Sequence, residues 1–90
     1  MEAYSVRVNG RVQGVGFRYW ACRTAVRLGI AGWVKNNFDG SVSIHAESSD
    51  RKHLTMFLKE LRRGPSSAVV RQFDITETAP RNYVDFDVEY

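Results

Sequence analysis

Tyr4-Ser5-Val6-Arg7-Val8-Asn9-Gly10-Arg11-Val12-Gln13-Gly14-Val15-Gly16-Phe17-Arg18 changes its periodicity once, and that change decides the fold. Tyr4, Val6, Val8 and Val12 alternate with Ser5, Arg7, Asn9, Arg11 and Gln13, the period of two that marks a half-buried strand. From Phe17 the alternation stops, and Phe17, Ala21, Ala25 and Leu28 recur at helical spacing until Gly29, a residue suited to the left-handed position that closes many helices. Between strand and helix lies a glycine-rich loop. Such a loop can aim several backbone N–H groups at one spot, with the positive end of a helix dipole behind them and the Arg18 guanidinium beside them. That is an anion cradle, and phosphate is the anion it suits best. No lysine follows Gly16 and no Ser or Thr stands where a magnesium ligand is needed, so the nucleotide pattern G-x-x-x-x-G-K-[ST] is absent. A small phosphorylated ligand fits better than ATP.

Outward from this stretch, Ile30 to Lys35 is short and apolar, and Asn36 to Gly40 is turn-like. Val42, Ile44 and Ala46 then alternate with Ser41, Ser43, His45 and Glu47, which completes a β-hairpin. Ser48-Ser49-Asp50 is a capping cluster. Leu54, Phe57, Leu58 and Leu61 behind it have the i, i+3, i+4, i+7 spacing of a second helix, closed by Arg62-Arg63-Gly64-Pro65. Val69 to Thr76 contains a strand with Phe73 and Ile75 on one face, and Val84, Phe86, Val88 and Tyr90 alternate with acidic residues. The order is β-α-β-β-α-β with an extra C-terminal strand. Two helices with one apolar face each can cover only one side of the sheet, which predicts an α+β, ferredoxin-like two-layer sandwich with a mainly antiparallel sheet. A fold so widely shared says nothing about activity by itself.

Composition narrows the field. Ninety residues predict a single domain over 1–90, with a small core. The N-terminal residues carry neither the basic nor the apolar region of a signal peptide, and no apolar run is long enough to span a membrane. The single cysteine, Cys22, excludes an internal disulfide and a cysteine-rich metal site, in keeping with a reducing, cytoplasmic setting. The net charge of +3 arises from thirteen basic and ten acidic residues that are interspersed, so general nucleic-acid binding is a weak inference.

Two residues stand out as candidates for chemistry. A cation in the first turn of a helix opposes the helix dipole, so Arg18 needs a compensating anion. Its guanidinium can hold two phosphoryl oxygens at once. Asn36 stands where the short buried strand Gly32-Trp33-Val34-Lys35 gives way to a turn, a position that by itself favours an ordinary turn asparagine.

Gly10-Arg11-Val12-Gln13-Gly14-Val15-Gly16-Phe17-Arg18 and Gly32-Trp33-Val34-Lys35-Asn36-Asn37-Phe38-Asp39-Gly40-Ser41-Val42 closely resemble the two signatures of the acylphosphatase family, G-x-V-Q-G-V-x-[FM]-R and G-[FYWV]-[AVC]-[KRQAM]-N-x(3)-G-x-V. The resemblance covers the whole chain, through Gly64-Pro65 to the terminal Phe86-Asp87-Val88-Glu89-Tyr90. It implies a hydrolase that cleaves acyl phosphates to carboxylate and inorganic phosphate. It also implies roles: Arg18 holds the phosphoryl group, Asn36 positions the attacking water, and the backbone of Gln13, Gly14, Val15, Gly16 and Phe17 forms the phosphate loop. A small acyl phosphate is then the substrate and inorganic phosphate or sulfate a competitive ligand. The expected enzyme is a free-standing monomer with no cofactor, no metal, no nucleic-acid partner and no membrane. One departure is visible: the second signature usually ends in a glycine where Ser48 stands here. Altered loop geometry, not lost catalysis, is the expected effect.

Other readings compete less well. Cys22 and Arg27 approximate a tyrosine phosphatase signature, but four residues separate them instead of five and Cys22 falls inside a helix, which favours a core cysteine. His45 and His53 come from different elements, and neither has a second ligand at metal spacing. Arg7, Arg11, Arg23, Arg27 and Lys35 read as solvated faces, with Arg23 adding positive potential near the loop. Phe17, Tyr19 and Trp20 read chiefly as core packing, with a wall for the acyl group as the other option. An RNA-recognition domain shares the element order, but its RNP1 pattern is missing at Ser41-Val42-Ser43-Ile44-His45. A non-catalytic phosphate- or carbamoyl-phosphate-binding domain is the remaining alternative.

Overall fold

In the computed structural model, which describes residues 1–90, seven elements follow one another: β1 (Glu2–Arg11), α1 (Phe17–Leu28), β2 (Ala31–Asn36), β3 (Val42–Ser48), α2 (Arg51–Arg63), β4 (Val69–Thr78) and β5 (Phe86–Glu89). The strands form one sheet in the order β4-β1-β3-β2-β5. Three neighbouring pairs are antiparallel, and β5 runs parallel to β2. The ferredoxin-like α+β sandwich expected from the hydrophobic periods is therefore the fold. Strand edges move by one or two residues: β1 begins at Glu2 and β2 runs on to Asn36, so the asparagine is the last strand residue and not the first of the turn. No helix is long and apolar enough to cross a membrane.

Alternation explains the core. Val6 pairs with Ile44 and Val8 with Val42, while Val34 faces Ile44 from the other side, so one face of three strands is continuously aliphatic. Onto it pack Phe17, Ala21, Ala25 and Leu28 of α1 and Leu54, Phe57 and Leu61 of α2, all buried. Each large side chain so removed from water contributes about 1.5–3 kcal/mol. The helices hold their ends as their sequences dictate. Asp50 accepts a hydrogen bond from the His53 N–H at 3.1 Å, and Gly29 and Gly64 close α1 and α2 with positive φ.

The other face of the sheet is not simply open. Residues 79–85 must travel from β4 at one edge to β5 at the other, and they cross this face. Glu47, 1% exposed, receives them: its two carboxylate oxygens accept the N–H groups of Arg81 at 2.7 Å and Tyr83 at 2.6 Å. His45 adds a third bond to Glu47 at 2.8 Å and lies between Trp33 and Tyr83, with ring centroids at 6.2 and 5.3 Å. Burial pushes the Glu47 carboxyl up, but the hydrogen bonds from His45, Arg81 and Tyr83 outweigh it and hold the group below its ordinary value. Gly32 is indispensable beneath this crossing. At its φ of 140° an added Cβ would stand 1.8 Å from the His45 carbonyl oxygen, while the Gly32 N–H itself donates to Asp85 at 2.9 Å.

Candidate active site

The loop between β1 and α1 turns on Gly14 and Gly16, whose φ values of 74° and 76° lie in the left-handed region that other residues adopt only with strain. Gly16 is also the N-cap of α1, so no side chain caps the helix, and its first turn carries no acidic residue. The leading N–H groups of α1 have no intrahelical acceptor and point out of the helix end. Two tethers hold the loop. The Ser67 hydroxyl donates to the Val15 carbonyl at 3.0 Å, and the Gln13 amide donates to the carbonyls of Asn37 and Ser41 at 2.7 and 2.8 Å. Those last two bonds join the glycine loop to the β2–β3 turn.

That turn is braced from within. The Asp39 carboxylate accepts both the N–H and the hydroxyl of the fully buried Ser41, at 3.0 and 2.6 Å, and pairs with Arg7. The two Ser41 hydrogen bonds, then the Arg7 guanidinium, hold the Asp39 carboxyl down at about 2. Asn37 donates to the hydroxyls of Ser41 and Ser43, each at 2.8 Å. Asn36, the residue that enters this turn, has a different character. Its Oδ1 is buried and has no hydrogen-bond partner in the protein.

Arg18 and Asn36 line one hollow. A hollow of about 140 Å³ is lined by Val12, Gly14, Gly16, Phe17, Arg18, Tyr19 and Asn36. The strand end that carries Asn36 and the helix start that carries Arg18 are therefore two walls of one cradle. Arg18 is fixed from behind: one guanidinium nitrogen donates to the Glu89 carbonyl at 2.8 Å, and the group lies 4.9 Å above the Tyr90 ring. The Tyr90 hydroxyl is hydrogen-bonded to that of Tyr19, which raises the Tyr90 phenol above its ordinary value. Tyr19 lines this hollow, and Tyr90 stands behind Arg18.

Gly14, Gly16 and Phe17 also line this hollow, whereas Gln13 and Val15 do not. The Gln13 side chain is spent on the turn, and Val15 packs against the core, so only their main chains are free to serve a ligand. Phe17 is buried, packs edge-on against Trp20 and borders the cradle from the core side, whereas the half-exposed Tyr19 lines it from the solvent side. Cys22 contacts the Phe86 carbonyl from within α1. His45 is engaged by Glu47 and His53 by Asp50. Sequence reasoning missed Gln13 as a tether, the Asp39–Ser41 brace and the hold of Glu89 and Tyr90 on Arg18. Only the brace has a local signal, an aspartate two residues before a serine in an Asx turn.

Known proteins share both the sequence and the fold. The family model described as Acylphosphatase matches residues 4–88. The acylphosphatases of Thermotoga petrophila and Thermotoga maritima are each 50% identical over 90 residues, covering 100% of this chain and 99% of theirs. The crystal structure of acylphosphatase from Bacillus subtilis superposes with a TM-score of 0.95 at 37% identity, with both chains fully covered. Full-length HypF in its phosphate- and nucleotide-bound form aligns with 99% of this chain over 12% of its own, with a TM-score of 0.90 at 30% identity. With nearly every residue accounted for by one family model and with full-length relatives at this identity, the chain belongs to the acylphosphatase family of hydrolases.

Proposed function

We propose that this chain, as a single domain over 1–90, hydrolyses acyl phosphates by direct attack of water on phosphorus, with Arg18 holding the phosphoryl group and Asn36 orienting the water. The observation that carries the reading is the shared hollow of about 140 Å³ between the glycine loop, Arg18 and Asn36. The guanidinium has five N–H donors and gives one to Glu89, leaving others for phosphoryl oxygens. The N–H groups of the Gln13–Phe17 loop and of the α1 start supply further donors at the positive end of the helix dipole. The orphaned Asn36 Oδ1 is an acceptor in want of a donor, and a water proton satisfies it.

The chemistry asks for little more. The water oxygen forms the new bond to phosphorus as the bond to the carboxylate oxygen breaks, and the electron pair leaves on the carboxylate. The proton lost by water passes to the product phosphate or to solvent. A carboxylate is a weak base and departs without a general acid. Phosphoryl transfer through a loose transition state leaves the protein mainly positioning and charge stabilisation to supply. Histidine, nucleophilic cysteine, metal and cofactor are not required, and one chain suffices.

The test compares phosphate release from acetyl phosphate and from p-nitrophenyl phosphate with a chelator present. Turnover of acetyl phosphate alone supports the reading. Hydrolysis of both, or chelator-sensitive activity, overturns it, and phosphate binding without any turnover turns the chain into a non-catalytic phosphate-binding domain.

A further inference from the structure

Asn36 borders a second, larger hollow of about 820 Å³ that faces Arg7, Lys35, Phe38, Asp39 and Tyr90. A space of this size accepts a small organic group. Because Asn36 lines both hollows, a phosphoryl group seated in the cradle has its acyl portion directed either to solvent or into this space. Resting on the hydrolytic reading above, we infer that the larger hollow is the acyl site and that Lys35 selects acyl groups carrying an additional anionic group on an apolar skeleton.

Charge decides the selection. Arg7 and Lys35 both stand opposite Ser43, one on each side across the sheet, so they flank it about 10 Å apart. Arg7 is already neutralised by Asp39, whose carboxyl is ionised down to a pH of about 2. Lys35 is exposed, lies across from Glu89 on β5, and makes no ion pair within 4.0 Å. The hollow therefore presents one cation that is not held in an ion pair. Its apolar surface comes from Phe38 and Tyr90, both strongly exposed, with the Phe38 ring wholly in water. An aromatic or aliphatic skeleton laid between those rings removes apolar surface from water on both partners, and an anionic end then meets the Lys35 ammonium.

Benzoyl phosphate and 4-carboxybenzoyl phosphate isolate the effect, since they share a rigid skeleton and differ by one carboxylate that cannot reach back to the anhydride bond. For the wild type, kcat/KM at low salt is expected to be about two- to fivefold higher for the carboxylated substrate, the range given by exposed ion pairs, and the preference fades as ionic strength rises. Lys35→Met is expected to bring the ratio to about one, and Lys35→Glu to invert it. A wild-type ratio at or below one, or a ratio unchanged in Lys35→Met, overturns the assignment of Lys35 while leaving hydrolysis intact. Absence of turnover on benzoyl phosphate as well as acetyl phosphate instead removes the hydrolytic reading itself.

Discussion

Arg18 donates a 2.8 Å hydrogen bond to the main-chain oxygen of Glu89, a residue 71 positions further along the chain. The Tyr90 ring supports the same guanidinium from one face, at 4.9 Å. An arginine held at two points has already lost the freedom that an unrestrained side chain would lose on meeting its ligand. Such pre-positioning is a large part of what an enzyme can offer a phosphoryl group.

Arg18→Lys is expected to lower kcat/KM by at least 10² to 10³ with an unchanged circular dichroism spectrum. A single ammonium cannot keep the Glu89 bond and also present a planar fork to two oxygens. Inhibition by phosphate and sulfate is expected to weaken in parallel. Near-normal rates and inhibition constants would remove Arg18 from the site.

For Asn36→Ala the two constants are expected to part company. The rate falls on the order of 10²-fold, while the inhibition constant for phosphate changes only a few-fold, because the partner proposed for Oδ1 is the attacking water. Steady-state kinetics with phosphate as inhibitor reads both. A parallel collapse would move Asn36 into the anion cradle.

Glu47 predicts a pH dependence of stability. Its native carboxyl lies below the ordinary 4.5, so it binds fewer protons folded than unfolded near that pH. Its contribution is fully present above about 4.5 and is lost as pH falls through the lower native value. Glu47→Gln is expected to be about 1–3 kcal/mol less stable at pH 7, since a carboxamide offers one acceptor where the Arg81 and Tyr83 N–H groups need two. Denaturant titrations at pH 7 and pH 3 would show the gap between wild type and variant closing in acid. A constant gap would mean that the charge contributes nothing.

Cys22→Ala is expected to keep wild-type turnover and to cost at most about 1–2 kcal/mol, because the thiol packs inside α1 beside Phe86 and outside both hollows. Loss of activity in a well-folded variant, or a trapped phosphocysteine, would establish covalent catalysis.

How much the chain announces in its local pattern follows from how far each contact reaches. The periods of β1, α1 and α2, the capping Asp50 and the closing Gly29 and Gly64 are decided within a turn or two, and all were legible. So was the glycine loop, whose geometry is local. Gln13 was legible as part of that loop, but its tether to the carbonyls of Asn37 and Ser41 spans 24 and 28 positions, and an amide side chain carries no sign of its partner. Glu47 read as the polar half of an alternating strand. Its burial depends on where residues 79–85 cross, which no period encodes. Ile75 shows the opposite limit: it lies on the helix-covered side with Phe73, yet remains 44% exposed because β4 is an edge strand.

The sheet order β4-β1-β3-β2-β5 also sets a sequence in time. The start of α1 and the last residue of β5 meet only when the chain has crossed from one sheet edge to the other, a closure over 71 positions. Closures of long loops are entropically unfavourable until the contacts that reward them exist, so docking of β5 is expected to be a late step. With Arg18 in the proposed role, half-assembled forms are expected to be inactive, and substrate turnover then works as a clock for completion. In a refolding experiment helical circular dichroism is expected to recover before activity; simultaneous recovery would place β5 in the early nucleus.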